Sequence, residues 1–188
     1  MRQSLRRRFL WGGLLAVTVV AAVGLWLFQP WRLFTRSNVD EALPFPVTTT
    51  TAASAPTGAG VPTASAEPTT TTPAGPKVLA EGAFVSQEHP TRGTARVLEQ
   101  DGTRVLRLEG FSTSDGPDVH VWLASTPANA DWHAYDDTRH IPLGKLKATD
   151  GNLNYPIPAD ADLTGIQSTV IWCDRFNVAF GSAPLALG

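Results

Sequence analysis

Residues 94–111 read Thr94-Ala95-Arg96-Val97-Leu98-Glu99-Gln100-Asp101-Gly102-Thr103-Arg104-Val105-Leu106-Arg107-Leu108-Glu109-Gly110-Phe111. Two apolar-rich runs, Thr94 to Glu99 and Val105 to Phe111, flank an Asp-Gly pair. A type I′ hairpin turn needs positive φ at both central residues, and Asp-Gly tolerates it, so the stretch predicts two antiparallel strands. Asp150-Gly151 repeats the signal. Outward from this hairpin come further short runs, Val78 to Val85, Val119 to Ala124, Val170 to Cys173 and Val178 to Phe180, separated by Gly, Pro, Asn and Asp. No long segment keeps a helical period, so the expectation is an all-β domain, a compact antiparallel β-sandwich or barrel-like fold. In the Val119 run, alternation puts Val119, Val121 and Leu123 on one face and His120 and Trp122 on the other.

The 188-residue chain has a net charge of −2, unevenly distributed. Six of the 15 basic residues precede Asp40, and every acid lies at or beyond it. Nine basic residues then face 17 acids, about −8 for the remainder. A surface this acidic, with no basic cluster, repels phosphate backbones and excludes nucleic acid as a partner.

Phe9 to Phe28 reads FLWGGLLAVTVVAAVGLWLF, uncharged and, at about 1.5 Å per residue, long enough for a hydrocarbon core of about 30 Å. The expectation is a transmembrane signal anchor; a cleaved signal peptide would leave a greasy new terminus after Ala21-Ala22. Arg2, Arg6, Arg7 and Arg8 before the run place the N-terminus in the cytoplasm and the rest outside. Trp11, Trp26, Trp31 and Phe34 fall where interfacial aromatic belts sit. Pro44 to Pro76 is nearly all Pro, Thr, Ala, Ser and Gly, a disordered stalk that either carries O-linked sugar or is a bare spacer. The expected organisation is a basic leader (1–8), an anchor in the bilayer (9–28), a juxtamembrane segment and linker (29–76) and a β domain (77–188). Its surroundings would supply an extracytoplasmic protein or redox partner.

The single cysteine, Cys173, ends the apolar strand Val170 to Cys173 and has no partner for an intramolecular disulfide. It is a buried inert thiol, an intermolecular bridge, a metal ligand or a redox group. Alternation puts it on the face of Ile171, opposite Val170 and Trp172. Arg175 beside it would favour a thiolate and Asp174 would oppose one. Met1 is the one methionine, so a Met-ligated blue-copper centre is excluded. His89, His120, His133 and His140 supply imidazoles, but none has a close metal-ligand spacing to Cys173. Thr126 to Pro142 is long and polar and is either a functional loop or a surface insertion. No nucleophile–base pair or phosphate loop supports a hydrolase.

The ordered motifs from about Ala80 to Leu185 resemble the DM13 family, the electron-transfer DM13 domains. They are Gly82-Ala83-Phe84 with His89 and Gly93; Gly110-Phe111; Gly116-Pro117-Asp118-Val119-His120-Val121; and Leu143-Gly144-Lys145-Leu146-Lys147. Then follow Gly151-Asn152, Tyr155-Pro156-Ile157-Pro158, Val170-Ile171-Trp172-Cys173-Asp174-Arg175-Phe176 and Phe180-Gly181-Ser182-Ala183-Pro184-Leu185. The resemblance implies a β-rich fold and redox activity through a hallmark cysteine, here Cys173, acting as a naked thiol or as ligand to a bound metal. His89, Asp118 and His120 fall on family motifs and become candidate cofactor-binding residues. The cofactor itself is unspecified, a metal ion being the one class the resemblance suggests. The opposing expectation is a non-enzymatic envelope-interaction module with a structural cysteine.

Overall fold

The computed structural model describes residues 2–28, 35–45, 75–129 and 131–187. One helix, α1 (Arg2–Phe28), precedes ten strands: β1 (Asn38–Asp40), β2 (Lys77–Ala83), β3 (Val85–Ser86), β4 (Arg92–Gln100), β5 (Thr103–Ser112), β6 (Val119–Ala124), β7 (His140–Lys145), β8 (Asp150–Ile157), β9 (Ile166–Cys173) and β10 (Val178–Leu187). They form two five-stranded sheets, ordered β1-β8-β5-β4-β2 and β3-β10-β9-β6-β7. Every pairing is antiparallel except β1 with β8. The all-β sandwich expectation holds.

Asp101 and Gly102 have φ of 52° and 77°, the conformation the β4–β5 turn demands. Inward residues of both sheets, among them Val97, Leu106, Leu108, Val121, Leu153, Ile171 and Leu185, form one core. Period-two alternation delivers it, since each strand offers every second side chain to the interior.

Three expectations need correction. Asp150-Gly151 is not a hairpin turn; it opens β8. Gly151 has φ of 116°, and a Cβ there would meet the Val39 carbonyl oxygen at 2.0 Å, so glycine serves the close approach of β1. Residues 35–45 are part of the domain, although they fell within the juxtamembrane and linker assignment. Asn38–Asp40 pairs with Asp150–Asn152, and Phe45 is buried against Leu98 and Val105 on the outside of the first sheet. Finally, α1 covers the apolar run, but among the described residues no helix is long and apolar enough to cross a membrane. The single-pass placement, with cytoplasmic N-terminus and extracytoplasmic domain, is therefore overturned. The stalk between 46 and 74, with its Thr runs, lies outside the described residues, as do Trp31 and Phe34.

Candidate functional site

The end of the second sheet gathers most of the chemistry-bearing residues. β6 and β9 pair so that Val119 faces Cys173 and His120 faces Trp172. Because side chains alternate, Cys173 enters the core with Val119, whereas His120 and Trp172 share the outer face. Both sequence-based face assignments hold. The Cys173 thiol is free and 0 % exposed. Burial pushes its pKa up and the negative Asp118 adds to this, while backbone hydrogen bonds from Phe176, Asp118 and Arg175 act the other way. Arg175 contributes through its backbone and not through its charge. The result is a protonated thiol sealed among apolar neighbours, with none of the electropositive exposure that activates a cysteine.

Outside the same strand ends, Asp118, His120 and Asp174 each present a ligand atom, all within 4.8 Å of one another. His120 Nε2 lies 3.0 Å from Asp118 Oδ1 and 3.6 Å from Asp174 Oδ2. Lys145, opposite His120 on β7, donates from Nζ to Asp118 Oδ1 at 2.9 Å. That bond comes first in holding the Asp118 carboxyl below its ordinary range, with His120 assisting against the cost of burial. The Asp174 N–H donates to the Asp118 carbonyl at 3.0 Å, tying the β9 end to the loop before β6. A small cavity of about 150 Å³, lined by residues 115–119, Lys145 and Leu146, adjoins the cluster.

An imidazole with two carboxylates is a donor set for a divalent transition ion. The ammonium of Lys145 already sits against the carboxylate oxygen that faces His120, so the position draws positive charge. These residues fit a bound cation. Cys173 belongs to the other face of the sheet and not to this group.

Of the sequence-predicted candidates, the structure brings Asp118 and His120 together and sets Cys173 behind them. His89 stands apart, its ring 4.0 Å from that of Phe180, and burial lowers its pKa against the pull of Glu88. In the sequence, Asp174 figures as an opponent of the thiolate and within a family motif, and Lys145 within a family motif alone, with no site role for either. An Asp-x-His spacing signals a shared face on one strand, but β6–β9 and β6–β7 register is what adds the other two. The Thr126 to Pro142 loop folds over the outer face: Tyr135 is fully buried there with Trp122, Val170 and Trp172, its hydroxyl donating to the Pro127 carbonyl and paired with the Ser182 hydroxyl, each at 3.0 Å.

The fold and site define a small two-sheet β domain with a sealed thiol on one side of a strand end and a carboxylate–imidazole cluster on the other. No curated protein and no solved structure matches the chain significantly. The sequence model of the family described as electron transfer DM13 matches residues 83–185, more than half of the chain, and the chain belongs to that family.

Proposed function

We propose that the domain is an electron-transfer module whose redox group is a transition-metal ion held by Asp118, His120 and Asp174, with Cys173 as a core residue behind it. The observation that carries this reading is the convergence of three ligand atoms within 4.8 Å at the β6–β9 end. A bound ion would supply one-electron chemistry. The residues' own work is to bind and orient: His120 is fixed between two carboxylates, and Lys145 balances their charge when no other cation does. The Cys173 thiol keeps its proton and offers no nucleophile, which speaks against thiol–disulfide exchange with an external partner.

Elemental analysis of the full chain, with calorimetric titration of Mn²⁺ and Cu²⁺, tests this. One ion per chain is expected, lost in His120→Ala and Asp174→Asn and kept in Cys173→Ala. Binding that survives His120→Ala, or that Cys173→Ala abolishes in a folded protein, would overturn it. The second reading is a non-catalytic binding module, favoured by exposed Trp132 on the 126–142 loop. It would stand if no ion binds.

A further inference from the structure

The outer face of the second sheet carries a line of aromatic side chains that starts beside the Asp118–His120–Asp174 cluster. His120 and Trp172 are directly opposed in register, which on one face brings Cβ atoms to about 5 Å. Trp122 is the diagonal neighbour of Trp172, and their rings stack with centroids 5.1 Å apart and planes at 27°. His140, diagonal to Trp122 on the edge strand β7, stacks on it at 4.1 Å and 11°. From Trp172 towards β7 exposure rises: Trp172 is 1 % exposed and Trp122 7 %, and His140 is half-buried at the sheet edge. Tyr135 closes the line from above.

We infer that Trp172 and Trp122 form a one-electron relay between the Asp118–His120–Asp174 cluster and the His140 edge of β7, where an electron-accepting partner docks. This rests on the redox reading of the cluster. Packing alone would be served by Leu or Phe on this face. Indole is the side chain that gives up one electron most readily without first losing a proton, and two of them in contact, screened from water, allow a vacancy to move before it is quenched. The balance is simple. A one-electron oxidant at the β7 edge takes an electron from Trp122, leaving its radical cation. Trp172 refills Trp122, and an electron donor at the His120 end refills Trp172. One electron moves from donor to oxidant, no bond breaks and no proton leaves the chain. Cys173, on the opposite face, is off this route.

Pro142 faces Trp122 in register and is exposed, so a ruthenium polypyridyl photo-oxidant attached to a Pro142→Cys full chain delivers the oxidant at the proposed edge; buried Cys173 stays unlabelled. After a flash and external quenching, fast reduction of Ru(III) with a tryptophan-radical absorbance is expected. Trp122→Phe should abolish the fast phase, and Trp172→Phe should keep it while trapping the vacancy on Trp122. Trp132→Phe, on the exposed loop, should change nothing. A fast phase that persists in Trp122→Phe, or that Trp132→Phe removes, overturns the relay. Should Trp122→Phe fail to fold, Trp122→Tyr must turn the fast phase slow and pH-dependent, because a phenol is oxidised with loss of its proton; an unchanged rate overturns the relay equally. The readout needs no ion at Asp118, so failed ion binding and failed hopping are separate results.

Discussion

Cys173 shows how burial decides the chemistry of a residue type. A reactive thiol needs access and a stabilised thiolate, and Cys173 has neither. The native full chain is therefore expected to resist a thiol-labelling disulfide and to react fully once denatured; rapid labelling of folded protein would refute this. Replacing the thiol separates packing from polarity. Cys173→Ala should cost about 1–2 kcal/mol through lost contacts, and Cys173→Ser should cost about 1–3 kcal/mol because a hydroxyl there must find a partner among apolar neighbours. Denaturant midpoints decide it. The raised thiol pKa also fixes a sign: its contribution to stability is complete below the usual thiol range and is lost as pH climbs through the folded value. Tyr155, pushed up to about 12 chiefly by burial, adds in the same direction.

Among the elements, β1 and β8 make the sharpest case, because their parallel pairing depends on one glycine. In Gly151→Ala the new methyl meets the Val39 carbonyl oxygen at 2.0 Å on backbone already at φ 116°. The variant should lose β1 from the sheet and about 1–3 kcal/mol from backbone strain alone. Gly102→Ala, with open space around it but φ of 77°, should cost only about 1–2 kcal/mol. Equal midpoints for the two variants would count against the β1 contact. The same pair shows what the sequence made legible. Asp101-Gly102 lies between two alternating runs, so local chemistry alone identified the β4–β5 hairpin. Asp150-Gly151 has the same letters, yet the partner that demands its glycine lies more than a hundred positions earlier, beyond any local pattern. Alternation likewise set His120 and Trp122 apart from Val119 on one strand and Cys173 apart from Trp172 on another. It could not supply the register that sets Asp174 and Lys145 beside His120, or Trp172 against Trp122. The apolar run was legible as the helix α1, while no helix among the described residues is long and apolar enough to cross a membrane.

At the scale of the whole molecule, residues 35–45 decide whether the matched family span is a complete folding unit. They run along β8 and across the first sheet: Arg36 reaches Asp150, Glu41 meets Lys147 and the Asn154 N–H, and Phe45 inserts beside Leu98 and Val105. Burying a phenylalanine contributes about 1.5–3 kcal/mol, whereas Arg36, 62 % exposed, makes an ion pair that solvent largely screens. A chain beginning at residue 77 should therefore unfold at lower denaturant than one beginning at residue 35, with a smaller m because less surface is exposed on unfolding. The difference should also depend on pH. Glu41 and Asp150 are both held below the ordinary carboxylate range. Burial opposes this in each, but for Glu41 the Lys147 and Asn154 hydrogen bonds prevail, and for Asp150 those of Ser112, Thr149 and Arg36. A depressed carboxylate contributes its stability above the unfolded pKa and loses it as pH falls through the folded one. The longer chain's advantage should thus be full near neutrality and shrink in acid to what Phe45 and the strand retain. Denaturant titrations of both chains across that range measure it, and coincident curves at neutral pH would mean that residues 35–45 lie on the domain without stabilising it.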